Sequence, residues 1–317
     1  MKNPEIKISV LMTVYNDAEY LPYSIRSILN QTYRDFEFII VNDGSSDNTE
    51  NIISEFKDER IKYKKISHSG LAAALNFGIN SASGNWIARI DADDVNTLNR
   101  LQTQFDLIKS NPDYDVISSR SVYFEEPSKI LFFLNVPEDD SEIKKYLNLH
   151  NPVNHSSVIY KKNIIQEAGG YNEKMECFED FELWFRLKNK LTFKIIPEYL
   201  VYTRFRHDSM SRSAKSSNIY KMLMNNARDN LSISGKAEES NYWHNIIFWT
   251  EYFYGDKNKS RTLLTNNFTF RKALAFLKTY LPDYSFEKLK DLRIRYRMES
   301  VFKGKKKYEE ELKLLLK

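Results

Sequence analysis

Asp91, Asp93 and Asp94 put three carboxylates within four positions, in the stretch Arg89-Ile-Asp-Ala-Asp-Asp94 that follows the apolar-leaning Trp86-Ile-Ala88. Three like charges at a strand end repel one another, and something local must offset that. A hard divalent cation does so, because Mg²⁺ and Mn²⁺ take carboxylate oxygens and commonly grip a substrate diphosphate at the same time. The residue types therefore point to metal-assisted binding of a nucleoside diphosphate. A plainer reading is a solvated acidic turn that caps the next helix. A single cysteine, Cys177, excludes an internal disulfide and a cysteine-based zinc site.

Strand and helix signals alternate upstream of this cluster. Ile8 to Val14, Phe36 to Val41, Ile61 to Ile66 and Trp86 to Ile90 read as strands. Between them, Tyr20 to Asn30, Thr49 to Phe56 and Gly70 to Ser81 read as helices, with Asp47 as an expected N-cap. This order predicts an open, mostly parallel α/β sheet with helices on both faces. Ligands in such sheets sit beyond the carboxyl ends of the strands. Tyr15-Asn16-Asp17, Asn42-Asp43-Gly44 and Asp91 to Asp94 all fall there.

Further on, a helix is expected from Arg100 to about Ser110 and a strand from Asp115 to Val122. Residues 124–150 read as a loop and a short helix. A strand is expected at Asn154 to Tyr160, then helices at Lys162 to Ala168 and Asp180 to Lys188. Leu191 to Ile196 and Tyr199 to Phe205 read as two more strands. From Lys215 onward the pattern is helical: Asn218–Ser232, Ala237–Tyr254, Lys257–Asn267, Phe270–Thr279, Phe286–Phe302 and Lys307–Leu316.

At 317 residues the chain has room for two units, divided here at 1–214 and 215–317. The first carries 26 Lys and Arg against 31 Asp and Glu, a net of −5; the second carries 21 against 12, a net of +9. A basic tail suits an anionic membrane surface or an acidic partner. No nucleic-acid recognition motif accompanies the charge, so nucleic-acid binding is not expected. No apolar run approaches 18 residues and no signal-peptide pattern opens the sequence, which predicts a cytoplasmic protein with at most peripheral membrane contact.

Six blocks, in order, resemble the family 2 glycosyltransferases, which are inverting enzymes of the GT-A fold. They are Val10-Leu-Met-Thr-Val-Tyr-Asn16, Leu29-Asn-Gln-Thr-Tyr33, Ile40-Val-Asn-Asp-Gly-Ser-Ser-Asp47, Gly70-Leu-Ala-Ala-Ala-Leu-Asn76, Gly84-Asn-Trp-Ile-Ala-Arg-Ile-Asp-Ala-Asp-Asp94 and Cys177-Phe-Glu-Asp-Phe-Glu-Leu-Trp184. The resemblance spans roughly residues 6–212 and implies a nucleotide-sugar donor, with a UDP-sugar fitting best. It implies that Thr13, Val14 and Tyr15 cradle the base and that Asp43 accepts its imide N–H. Gly70 and Asn76 would close over the base and ribose, although Leu75 stands where many relatives have an arginine.

Asp91 and Ala92 would lie near the ribose, Asp93 would ligate Mn²⁺ or Mg²⁺, and Asp94 would approach the donor sugar or cap a helix. Arg100 could pair with one of these carboxylates. The resemblance also makes Asp180 the catalytic base, with Glu179, Trp184 and His155 on the acceptor and donor-sugar side. His207 would join the metal or diphosphate, flanked by Arg204, Arg206 and Arg212. The acceptor would be a glycan or a lipid-linked hydroxyl in bacterial surface-polysaccharide synthesis.

Two rivals differ from this. A sugar-nucleotide pyrophosphorylase would need a Gly-rich loop after the first strand, where Thr13-Val-Tyr-Asn-Asp-Ala18 has none. A non-catalytic sugar-nucleotide sensor would have lost its base or its metal acids, and both are present.

Overall fold

The computed structural model describes residues 6–126, 129–206, 217–254, 259–260 and 305–316. The expected helices Lys257–Asn267, Phe270–Thr279 and Phe286–Phe302, together with His207 and Arg212, lie outside the described residues.

The first half follows the alternation expected: β1 (Ile8–Val14), α1 (Leu21–Leu29), β2 (Phe36–Asp43), α2 (Thr49–Glu55), β3 (Ile61–Ile66), α3 (Leu71–Ser81) and β4 (Trp86–Asp91). Strands β3, β2, β1 and β4 lie side by side, all parallel. Strands β1, β2 and β4 are covered on both faces, which is why they read as nearly continuous apolar runs, while the edge strand β3 exposes Lys62, Lys64 and Lys65. On β1, Val10, Met12 and Val14 meet Leu21, Ile25 and Ile28 of α1 on one face. Leu11 meets Ala74, Leu75 and Ile79 of α3 on the other. The period of two along a strand sets this division.

The second half mixes directions. It comprises β5 (Val95–Asn96), α4 (Arg100–Ser110), β6 (Val116–Glu126), β7 (Lys129–Leu134), α5 (Asp140–Tyr146), a 3₁₀ turn (His155–Ser157), β8 (Ile159–Lys161), α6 (Lys162–Glu167), α7 (Glu179–Leu187) and β9 (Phe193–Arg204). The order across the sheet is β3-β2-β1-β4-β8-β6-β9-β5, with β7 paired to β6. Strand β8 runs antiparallel to β4 and β6, while β6 and β9 are parallel.

Several expectations are corrected here. Residues 124–134 are not a loop, because β6 runs on to Glu126 and forms a hairpin with β7. The unbroken apolar run Ile130 to Leu134 shows no strand alternation, and only the partner strand and the stack of Tyr123 on Phe132 (4.3 Å between ring centres) reveal it. The strand expected at Asn154 begins only at Ile159. Before it, the Ser157 hydroxyl accepts the backbone N–H of Ser119 (3.1 Å), and side-chain bonding of this kind competes with a sheet ladder. The two strands expected after Leu191 are one, β9, whose register slips around Pro197, a residue with no N–H to give the ladder. Helix α2 starts one residue after Asn48, so Asp47 is not its N-cap. Instead Asp47 accepts the N–H groups of Thr49 (3.1 Å) and Ala18 (3.0 Å), tying two loops together.

Beyond the sheet, the helix Ser217–Ile233 adds Ile219 and Leu223 to the core beneath α7. The helix Lys305–Leu315 buries Leu312 against Val95, Val122 and Tyr202, and Tyr202 donates its hydroxyl to Glu311 at 2.7 Å.

Candidate active site

The carboxyl ends of β1, β2 and β4 meet on one edge. Thr13 pairs in register with Val41 and Asp91, and Thr13 and Val14 are buried. Tyr15 leaves the strand half exposed and stacks on His68, ring centres 4.0 Å apart and nearly coplanar at 18°. Asp43 ends β2 and is buried. Its two oxygens accept the N–H groups of Ser69 (2.8 Å) and Gly70 (3.0 Å), and His68 Nδ1 lies 2.9 Å from Oδ2. This carboxylate therefore locks the loop that enters α3, and Gly70 turns that loop at φ +89°, a region open mainly to glycine. Oδ1 keeps a second lone pair for another donor.

Asn76 does not face this edge. Its amide donates to the Tyr171 carbonyl and to Glu173 (both 2.9 Å), and its oxygen accepts the Tyr171 N–H (2.8 Å). The side chain expected to close over the ribose instead fastens α3 to the Gly169–Glu173 turn. A Cβ on Gly170 would lie 2.4 Å from its oxygen, which shows how closely the two segments approach. Asn76→Ala should cost about 1–3 kcal/mol in urea unfolding, with affinity for a nucleoside diphosphate retained. A selective loss of nucleotide affinity at unchanged stability would return Asn76 to the nucleotide site.

The three acids of the loop after β4 have separate fates. Asp91 Oδ2 lies 2.5 Å from Nη1 of Arg89 and accepts the Ser156 hydroxyl at 2.8 Å; the same hydroxyl accepts the Asp91 N–H. Burial works against its charge, but Arg89 outweighs that and holds Asp91 below the usual carboxylate range. Asp93 is pushed up to about 7, first by burial and then by the negative charges of Asp91 and Asp17, with Arg206 Nη1 3.8 Å away.

Asp94 is almost wholly covered. Its Oδ1 accepts the Arg204 N–H at 2.7 Å, and its carbonyl, like that of Ala92, accepts the Ser24 hydroxyl at 2.6 Å. It ties the loop to β9 and is not the cap of α4, whose N-cap is Asn99; its Oδ2 has no hydrogen-bond partner among the described residues. Arg100 pairs with no carboxylate. It donates to the side chains of Asn96 and Gln104 and to the carbonyls of Arg89 and Val158.

Across the edge stands the start of α7. Phe178 turns the chain in the left-handed region (φ +61°), and Glu179 and Asp180 are the first two helical residues. Asp180 accepts the Phe181 N–H and the Asn151 amide, both at 2.7 Å. Burial raises it to about 6 and raises Glu179 to about 7, where the charge of Asp180 adds to the effect. His155 Nδ1 lies 3.6 Å from Glu179, and Nε2 lies 2.8 Å from the Tyr171 hydroxyl. Burial and the charge of Arg89 hold this imidazole well below its ordinary value, so it is neutral.

Ligand atoms of His155, Glu179 and Asp180 fall within 4.8 Å of one another, the spacing of a cation site. The positive charge there is already supplied by Arg89, which acts on both acids. Trp184, expected at the sugar, is fully buried. It packs edge-on to Tyr160 and Phe193 and is part of the core.

Arg89, Ser156, Asn151 and Asp17 are site neighbours to which the sequence reading gave no role. Only Arg89 had a legible signal, as a lone cation inside an apolar central strand. Asp17 pairs with Arg206 at 2.7 Å, which brings the end of β9 to the end of β1.

With this geometry in place, comparison with known proteins is decisive. The family model "Glycosyl transferase family 2" matches residues 9–167. An uncharacterized glycosyltransferase of Methanocaldococcus jannaschii is 34% identical over 78% of this chain and 85% of its own length. The chain belongs to glycosyl transferase family 2.

Another family member, the Escherichia coli UDP-Gal:alpha-D-GlcNAc-diphosphoundecaprenol beta-1,3-galactosyltransferase, is 32% identical over 67% of this chain and 79% of its own. The chain spans only 45% of a Rickettsia felis glycosyltransferase. Among solved structures, S. aureus TarS 1-349 in complex with UDP-GlcNAc superposes with a TM-score of 0.60 at 16% identity, covering 98% of this chain and 90% of TarS. That likeness establishes the GT-A fold. The chain is thus a glycosyltransferase, and no helix among the described residues is long and apolar enough to cross a membrane.

Proposed function

We propose that this glycosyltransferase moves a sugar from a UDP-sugar to a hydroxyl of a glycan or lipid-linked acceptor in surface-polysaccharide synthesis, with inversion at the anomeric carbon. The observation that carries the reading is the opposition of two acidic groups across one edge. Asp91 and Asp93 stand at the end of β4, and Asp180 stands at the start of α7, joined through Arg89, Ser156 and His155. The named activities of relatives lend the substrate class: the galactosyltransferase above, and the E. coli O-antigen biosynthesis glycosyltransferase WbnJ, 31% identical over 65% of this chain and 83% of its own.

In this reading Tyr15, stacked on His68, offers an aromatic face for the base. Asp43 offers a spare lone pair to an imide N–H, and Asp91 meets the ribose. Asp180 is the base: it must be ionised to accept the proton of the acceptor hydroxyl as that oxygen attacks the donor carbon. Its place in the first turn of α7 favours the anion, while burial keeps its basicity useful near neutral pH.

The residues at the β4 end fit a divalent cation. Asp93 is a crowded carboxylate whose raised protonation a cation would relieve; carboxylate oxygen suits Mg²⁺ or Mn²⁺, and an added imidazole nitrogen suits Mn²⁺. Asp93 would hold it, with His207 as a second ligand. Once bound, such an ion supplies Lewis-acid stabilisation to the departing diphosphate. A GDP-mannose and Mn²⁺ complex is known for the mannosyltransferase PcManGT of Pyrobaculum calidifontis, which superposes with a TM-score of 0.54 at 12% identity, covering 98% of this chain and 85% of that one.

The helix Lys305–Leu315, with Lys306, Lys307, Lys313 and Leu314 exposed, offers a basic face for peripheral contact with an anionic leaflet. A panel of UDP-sugars with Mn²⁺ and a polyprenyl-diphosphate glycan acceptor tests the central reading. Release of UDP with one or two of the donors is expected; no release from any donor would refute it.

A further inference from the structure

Arg89 is the one charged side chain on the inner length of β4, and it is 1% exposed. Its strand neighbours Ala88 and Ile90 point to the face covered by α1 and α4. The strand alternation therefore sends Arg89, like Ile87, to the opposite face, where α3 and α7 pack. Burying a guanidinium is costly unless it is paired, and nothing in the packing of β4 requires it. Nη1 lies 2.5 Å from Asp91, an ion-pair distance, and neither Nη1 nor Nε makes a well-aligned hydrogen bond among the described residues. The backbone around it is tightly held: its N–H donates to the Val158 carbonyl at 2.9 Å and its own carbonyl accepts from Arg100 at 2.8 Å.

We propose that Arg89 is a positioning residue which joins the two halves of the reaction site, fixing Asp91 on the donor side by an ion pair and favouring the Asp180 anion on the acceptor side. This deepens the transferase reading above and rests on it for the roles of Asp91 and Asp180.

The physical logic is a single buried cation shared among three carboxylates. Without it, two acids in the first turn of α7 and one at the end of β4 would repel one another in a poorly solvated space, and one or more would take up a proton. A protonated Asp180 cannot accept a proton from an acceptor hydroxyl. Lysine would keep the charge but lose the planar fork that sets the angle of Asp91.

The groups that act on Asp180 are Glu179 beside it, Arg89 and Asp91 from β4, Tyr171 from the preceding turn and Tyr123 from β6. His155 faces Glu179. Of these only Arg89 is cationic at neutral pH, so its removal has one sign: the Asp180 carboxyl becomes easier to protonate and its midpoint rises.

The test uses the full chain with ¹³C-labelled aspartate carboxyls, with the Asp180 signal identified by its absence in Asp180→Asn. The wild type is expected to titrate near 6. In Arg89→Met the midpoint should move up by roughly one pH unit or more, and in Arg89→Lys it should stay near the wild-type value. With the same proteins, Arg89→Lys should retain kcat within about threefold while the donor KM rises roughly tenfold.

A folded Arg89→Met with an unmoved Asp180 midpoint overturns the proposal. If Arg89→Met does not fold, Arg89→Lys decides alone: a collapsed kcat at unchanged donor KM overturns the proposal, and the opposite split supports it. The titration needs no substrate. A wild type that turns over no UDP-sugar therefore counts against the transferase reading and leaves the titration of Asp180 to judge Arg89.

Discussion

Asp180→Asn is expected to lower the transfer rate by about 10²–10⁴-fold, the range typical for loss of a general base, while affinity for UDP stays within about threefold of the wild type, since Asp180 belongs to the acceptor side in the proposed scheme. The substitution is nearly isosteric. The Asn151 amide and the Phe181 N–H donate to different oxygens of Asp180, each at 2.7 Å, so the asparagine oxygen can keep one of them; the loss of the other costs about 1–3 kcal/mol, which a thermal melt of the variant reads separately from the rate. What disappears is a carboxylate able to take a proton.

The wild-type pH profile carries the same information. Burial raises Asp180 to about 6. The active form is the anion, so the rate should fall as pH drops through about 6 and level off above it. In Asp180→Asn the residual rate should lose that acid limb. Single-turnover measurements between pH 5 and 8 check both points, and a variant that keeps wild-type turnover would remove Asp180 from the chemistry.

Asp93→Ala should have the opposite signature. Affinity for UDP in the presence of Mn²⁺ is expected to fall by about 100-fold, with transfer lost in parallel, because the ligand that couples cation to diphosphate is gone. Binding of UDP without any metal should be nearly unchanged. The apo protein should lose no stability and should gain some: Asp93 lies among Asp91 and Asp17, and those negative neighbours together with burial raise it to about 7. Relief of such crowding is commonly stabilising in the absence of the cation. Calorimetric titration of UDP with and without Mn²⁺, together with thermal melts of the metal-free proteins, separates these effects. Equal UDP affinity in wild type and variant at saturating Mn²⁺ would mean that Asp93 is not a ligand.

The two substitutions therefore divide the edge functionally as the fold divides it spatially. Asp93 belongs to the loop after β4, and Asp180 to the first turn of α7. Arg89, reaching from β4 toward the α7 face, is the element common to both.

The sequence by itself determined the order of strands and helices through β4, the helix α4 that follows, and the acidic ends of β1, β2 and β4, but not the short strand β5. It also located the Glu179–Asp180 pair opening a helix. These are local properties. Apolar runs of strand length, helical spacing and turn residues act over a few positions, so they are legible without knowing what lies across the sheet. The six motif blocks added the family and hence the GT-A fold.

Only the tertiary structure decided what each polar side chain does. Asn76 stands in a motif associated with the ribose, yet its amide is fully engaged by Tyr171 and Glu173, nearly a hundred positions away. Trp184 lies one helical turn beyond Asp180, on the same side of α7, yet it is fully buried against Tyr160 and Phe193. Asp94 is a strut to Arg204 while Asp93, one residue earlier, stays open toward Arg206. Strand β7 and the single bent strand β9 exist only because β6 lies between them to pair with both. Hydrogen bonds and ion pairs are settled by distance in space, and contacts between residues far apart in sequence leave no periodic trace. Arg89 is the clearest case: its charge was visible in the chain, but its burial beside Asp91, on the sheet face that α7 also covers, was settled only by the fold.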